Sequence, residues 1–219
     1  MFTGFNLRKL IVCTLAFVFA VALGLAVYQG GADVIDQSAQ ESIFGEARTG
    51  LVAGMYELLA HLGDWYVVTG LCILLLAFKE TRFAYGFPVA LCSLLSVPFQ
   101  LIIKHKLLRP RPDSSLWLIN VHSQYSFPSG HALASALFLG MLAKIIYYYA
   151  TNDGKTLHFY ATPHPPKKYI KKANMTLVAV FACVLAIWMI GFARVYVGVH
   201  WMTDVLESWL IAIFILSIM

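Results

Sequence analysis

Charge is scarce along six stretches of this chain, each about as long as a helix needs to be to cross a bilayer. They run from Leu10 to Tyr28, Leu62 to Phe78, Phe83 to Ile103, His131 to Ala150, Ala173 to Ala193 and His200 to Met219. About 20 apolar residues in helical form span the hydrocarbon core, and inside lipid a backbone must satisfy its own hydrogen bonds, which a helix does. The chain has 219 residues, 60% hydrophobic and 12% charged, about half the charge of an ordinary soluble domain. The pattern predicts an all-α integral membrane protein of six transmembrane helices. Residues 1–219 then make one domain, because six spans leave room only for short connections.

The first stretch follows Arg8 and Lys9 and continues uncharged from Leu10 to Gly31, 22 residues. A cleaved signal peptide has a shorter apolar region and a small-residue cleavage site, so this stretch is expected to stay as the first helix and anchor. With the N-terminus inside, the inner segments carry ten Lys and Arg and the outer ones six, three of which (Lys104, Arg111 and Arg194) take on another role below. Basic residues favour the cytoplasmic side, so both termini are expected there. The net charge of +5 is accounted for by this topology and does not point to nucleic acid. Cys13, Cys72, Cys92 and Cys183 all lie within apolar runs without CxxC spacing, and are expected as small buried hydrophobes, not disulfides or zinc ligands.

The outer segment from Asp33 to Asp64 is acidic, with Asp33, Asp36, Glu41, Glu46, Glu57 and Asp64. Leu51, Met55, Leu58, Leu59 and Leu62 recur at helical spacing, which predicts an amphipathic helix on the membrane surface. The segment is read as a solvated connector, with a part in shaping lipid entry as the alternative. The inner segment Thr151 to Lys172 is basic and turn-rich, and its His158 and His164 are expected to be solvated. Lys144, late in the fourth stretch, is expected to snorkel.

Three polar clusters fall at boundaries of apolar stretches, all on the outer side. Lys104-His-Lys-Leu-Leu-Arg-Pro-Arg111-Pro112 closes the third stretch, Phe127-Pro-Ser129-Gly130-His131 opens the fourth, and Arg194 to Asp204 joins the fifth to the sixth. A phosphate group needs several donors around its oxygens. Lys104, Arg111 and Arg194 supply cations. Ser129 supplies a hydroxyl, and Ser129 and Gly130 supply backbone N–H groups where a helix start favours an anion. His200 and Asp204 are four residues apart, which on a helix places them on one face. The carboxylate then orients the imidazole as nucleophile, and His131 protonates the leaving oxygen as general acid. These cations stabilise charge in the way a metal does elsewhere, so no metal or cofactor is expected.

Lys104-x6-Arg111-Pro112, Pro128-Ser129-Gly130-His131 and Arg194-x5-His200-x3-Asp204 resemble the three signature motifs of the type 2 phosphatidic acid phosphatase superfamily, which also holds vanadium haloperoxidases and bacterial acid phosphatases. The resemblance implies the six-helix layout of the membrane branch and the same roles: His200 nucleophile, Asp204 its partner, His131 acid, and Lys104, Arg111, Ser129, Gly130 and Arg194 phosphate ligands. It further implies a lipid phosphate or diphosphate as substrate, such as undecaprenyl diphosphate, phosphatidylglycerophosphate, phosphatidic acid or a lipid A phosphate. The expected setting is a bacterial cytoplasmic membrane, with the site facing outside. A lipid phosphotransferase using the same site is the alternative. A binding or transport protein without turnover would have no use for His131, His200 and Asp204 together.

The family's third motif usually begins Ser-Arg, whereas this chain has Ala193-Arg194, one hydroxyl fewer. Glu207 stands one turn past Asp204 in what should be apolar helix, either paired with a cation or facing the polar interior. Lys106 and Arg109 are expected as spare basic residues, with a contact to the lipid headgroup as the alternative, and His61, His105 and His122 as structural or interfacial ones.

Overall fold

A computed structural model describes residues 7–44, 48–121, 123–152 and 167–219. The expectations for Glu46, His122, His158 and His164 lie outside the described residues. Helices α1 (Leu7–Tyr28), α2 (Asp33–Phe44), α3 (Gly50–His61) and α4 (Trp65–Ala77) are followed by a short α5 (Lys79–Thr81). A π-helical turn, Arg82–Gly86, leads into α6 (Phe87–Leu94) and α7 (Ser96–Leu107). A long connection with one 3-10 turn then reaches α8 (Gly130–Asn152), α9 (Lys167–Tyr196) and α10 (Met202–Ile218).

Among the described residues, four helical runs are long and apolar enough to cross a membrane: Leu7–Tyr28, Lys79–Leu107, Gly130–Thr151 and Ala173–Tyr196. The pair α3 and α4, bent by 55°, makes a fifth when taken as one span. The second and sixth apolar stretches of the sequence form α4 and α10, of 13 and 17 residues. The outward faces of the long helices carry exposed Leu15, Phe19, Phe181 and Trp188, apolar surface suited to lipid.

Helix α8 packs against α9, α10 and α6, and α1 lies along α10. The core joins Leu133, Ala136 and Leu137 of α8 to Val89 and Cys92 of α6, Cys72 of α4 and Ile211 and Ile215 of α10. Cys72, Cys92 and Cys183 are buried and all four cysteines are free. Gly191 lets α9 close onto α10, since a Cβ there would press on the Trp209 ring and Val205. Lys144 departs from expectation. Its ammonium donates to the Leu216 carbonyl at 2.8 Å, because α10 ends beside it and the last carbonyls of a helix attract a cation.

The packing brings the ends of α7 and α9 and the starts of α4, α8 and α10 to one end of the bundle, and α2 crosses it against α9 and α10. Leu108, in left-handed conformation at φ 49°, stops α7 and donates its N–H to Lys104 O. Gly198 (φ 79°) reverses the chain after α9, where a Cβ would collide with the Leu116 carbonyl. Arg48 closes that end of α9 by donating to Tyr196 O at 2.6 Å and Leu116 O at 2.7 Å. These turns are what aim the polar clusters at one another.

Candidate active site

His200 lies in the turn between α9 and α10, not on the helix itself, so its pairing with Asp204 is not the one-face helical geometry expected. Trp201 is the N-cap of α10 and Asp204 its third residue. The Asp204 carboxylate reaches back to accept from the Trp201 N–H at 2.9 Å and from His200 Nδ1 at 3.2 Å. A helix start that attracts negative charge holds the carboxylate there. On the other edge of the ring, Arg111 Nη1 stands 3.2 Å from His200 Nε2. A guanidinium only donates, so Nε2 presents its lone pair and the proton sits on Nδ1, facing Asp204.

Arg111 is fixed by donating from Nε to Ser123 O at 2.7 Å and from Nη1 to Val199 O at 2.5 Å. Lys104, on the last turn of α7, is buried and donates to Tyr125 O at 2.9 Å. Arg194 is 2% exposed, has only a 3.5 Å contact from Nη1 to Ala60 O, and its Nε has no hydrogen-bond partner among the described residues. A buried donor left unpaired is costly, and three cations held together suit an anion. Burial first, then the charges of Arg111, Arg194, Lys104 and His131, hold the His200 imidazole well below its usual pKa. Burial also lowers the Arg111 guanidinium, against the pull of Asp204.

Ser129 and Gly130 open α8 as expected, with one difference. The Ser129 N–H donates to Asp204 O at 3.1 Å, and its carbonyl accepts from Ser208 Oγ at 2.9 Å. That N–H is therefore used in joining α8 to α10, which leaves the Ser129 hydroxyl and the Gly130 N–H as the donors of this turn. Gly130 lies under the Gln100 side chain, where a Cβ would collide with its amide oxygen. His131 Nε2 donates to Asp64 Oδ1 at 2.7 Å. Ala193 is fully buried in an apolar cluster with Ala60, Val197 and Val199, where a hydroxyl would have apolar neighbours. An apolar cavity of about 680 Å³ starts at His131, Gly130 and Gln100 and runs between α4, α6 and α7 past Val68, Cys72 and Leu91.

All eight residues singled out in the sequence thus gather at one end of the bundle. Three more carboxylate or cationic groups were not singled out. Arg109, expected to be spare, donates to Asp204 Oδ1 at 2.7 Å, Thr203 Oγ1 at 2.7 Å and Asp36 Oδ2 at 2.5 Å. Asp36, expected in a solvated connector, is 2% exposed and also accepts from the Thr203 N–H at 2.9 Å and hydroxyl at 2.7 Å. Asp64 accepts from His131, from His61 Nδ1 at 2.8 Å and from the Tyr66 hydroxyl at 2.5 Å, so His61 belongs to this network. The Arg-Pro-Arg-Pro doublet was a usable signal for Arg109, since both arginines enter the same rigid turn. Nothing in the sequence separates Asp36 from its solvated neighbour Asp33.

Comparison with known proteins matches residues 83–219 to a family model described as the PAP2 superfamily. An undecaprenyl-diphosphatase from Sulfolobus acidocaldarius is 26% identical over 162 residues, 72% of this chain and 64% of that protein. A phosphatidylglycerophosphatase B from Bacillus subtilis is 32% identical over 106 residues, 48% of this chain and 41% of that protein. The matches thus span less than two thirds of either relative's length. Among solved structures, a transmembrane PAP2-type phosphatidylglycerolphosphate phosphatase from Bacillus subtilis superposes with a TM-score of 0.72 at 19% identity, covering 93% of this chain and 92% of that one. Aquifex aeolicus LpxE superposes with a TM-score of 0.59 at 23% identity, covering 84% and 93%.

Proposed function

This chain belongs to the PAP2 superfamily, and on that premise we propose that it is a membrane lipid phosphatase that works through a phosphohistidine. The observation that carries the reading is His200 Nε2 set 3.2 Å from the Arg111 guanidinium, beside an Arg194 whose buried Nε has no partner among the described residues. A phosphoryl group held by Arg111, Arg194, Lys104, the Ser129 hydroxyl and the Gly130 N–H meets the Nε2 lone pair. Nε2 bonds to phosphorus as the bond from phosphorus to the lipid oxygen breaks, and His131 gives its proton to that oxygen. Water then attacks phosphorus, the P–N bond breaks, His131 takes the proton, and phosphate leaves. Asp204 stabilises the imidazolium charge that develops on His200. The cations carry the charge stabilisation, so activity is expected to persist in EDTA.

The substrate is a lipid because the cavity leading from His131 is apolar and opens among helices with lipid-facing surfaces. Undecaprenyl diphosphate and phosphatidylglycerophosphate are the favoured candidates, being the lipids acted on by an undecaprenyl-diphosphatase and a phosphatidylglycerophosphatase similar to this chain. The reading takes residues 1–219 as one domain in a bacterial cytoplasmic membrane, with α1, α3–α4, the run α5–α7, α8, α9 and α10 as six spans. At 1.5 Å per residue α10 reaches about 25 Å, short of the usual core but tolerable where the bilayer thins. Both termini then face the cytoplasm and the site faces outward.

The test is phosphate release by the purified full chain from a panel of these lipids, with His200→Ala as reference. Wild type should release phosphate with and without EDTA, and the variant should not. Equal release by both would end the reading, and phosphate delivered to a second lipid in place of water would make the enzyme a transferase.

A further inference from the structure

Asp64 sits in the tight turn between α3 and α4, upstream of residues 83–219 that match the family model. It is 9% exposed, and both its oxygens are engaged: Oδ1 by His131 Nε2 at 2.7 Å, Oδ2 by Tyr66 at 2.5 Å and His61 at 2.8 Å. A carboxylate with three donors converging on it has one orientation. We propose that Asp64 is the positioning residue of the general acid: it keeps a proton on His131 Nε2, so that Nδ1 is the nitrogen that delivers a proton to the leaving lipid oxygen and later takes one from water. This rests on the phosphatase reading above.

The need for such a partner follows from the surroundings. His131 stands in the field of Arg194 from α9 and Arg111 from the long connection, with Asp64 the carboxylate facing it. Its own charge acts in turn on His200 between α9 and α10. Cations that grip phosphate also repel an imidazolium, while a carboxylate in contact favours it. A second effect is tautomeric. A neutral imidazole bonded through Nε2–H to a carboxylate leaves its lone pair on Nδ1, the state needed to accept the water proton in the second half-reaction. Tyr66 and His61 fix the carboxylate from the other side. His61 has half its side chain exposed (51%), so the network reaches the surface.

The test compares two substrates on the full chain in detergent. One is a lipid phosphate, whose alkoxide needs a proton to leave, and the other is p-nitrophenyl phosphate, whose phenolate does not. Asp64→Asn should lower kcat/KM, which reports the steps up to departure of the leaving group and not the later attack of water, about 100-fold on the lipid and no more than about threefold on p-nitrophenyl phosphate. Tyr66→Phe, at a half-exposed position, should reproduce the same substrate selectivity more weakly, and carries the test if Asp64→Asn does not fold. Equal losses on both substrates, or no loss on either, would overturn the proposal. His131→Ala separates the two levels. If it is substrate-selective and the Asp64 and Tyr66 variants are not, only the role of Asp64 fails; if it is not selective either, the acid assignment fails with it.

Discussion

Replacing Arg109 tests whether the nucleophile's partner is held by a buried ion network. The side chain is 11% exposed and forms three bonds, to Asp204, Asp36 and Thr203, while Asp204 is fully buried and Asp36 2% exposed. Arg109→Met would leave two buried carboxylates facing one another without the cation between them. Breaking a buried pair from one side costs about 3–5 kcal/mol, because the remaining charge is uncompensated. Asp36→Asn in the same background removes one of those charges while its amide still accepts from Thr203, so the double variant should be more stable than Arg109→Met alone. This is a coupling of about 1–3 kcal/mol, readable as a double-mutant cycle. The assay is unfolding in mixed micelles followed by tryptophan fluorescence, with phosphate release measured in parallel. Additive costs, or an Arg109→Met variant as stable as wild type, would refute the network. A stable variant that had merely lost activity would return Arg109 to the role of a surface cation touching the headgroup.

Lys104→Met removes one of the three Lys and Arg cations that, with His131, depress His200. Neutral imidazole is the attacking form, so its pKa rises and the acid limb of kcat/KM should move to higher pH by up to about one unit. Gly198→Ala forces a side chain into a φ of 79° against the Leu116 carbonyl, and should cost about 1–3 kcal/mol in thermal unfolding, with activity falling as His200 shifts. Glu207→Leu should raise thermal stability by about 1 kcal/mol at unchanged mechanism, since the Glu207 Oε2 has no partner among the described residues and the residue lines an apolar cavity of about 240 Å³ between α1, α7 and α10. A fall in melting temperature would show that Glu207 has a partner in the membrane.

The long apolar helices were legible because membrane burial writes one signal, hydropathy, over 20 residues at a time. The motif residues were legible because charge at a membrane boundary is expensive and stands out. Where two elements meet through a turn, the sequence carried less. His200 and Asp204 have helical spacing, yet His200 belongs to the turn and the pairing depends on the N-cap geometry at Trp201. The use of the Ser129 N–H depends on how closely α8 approaches α10, a tertiary distance absent from any local pattern. Lys144 read as a snorkelling residue because nothing local places the Leu216 carbonyl beside it.

The two buried acids that sequence reasoning passed over share a logic. Asp36 and Asp64 both lie in the acidic segment from Asp33 to Asp64, upstream of the family-matched residues, and each serves one histidine: Asp36 through Arg109 and Thr203 to Asp204 and His200, Asp64 directly to His131. Three phosphate-gripping cations and two imidazoles gathered in one place repel one another before any substrate arrives. Carboxylates brought in from a separate segment offset that repulsion: Asp36 pairs with Arg109, and Asp64 pairs with His131 and acts on Arg194 as well. The acidity of the Asp33 to Asp64 segment is therefore divided: Asp36 and Asp64 are structural counter-charges, and Asp33 remains on the solvated side of the same helix as Asp36.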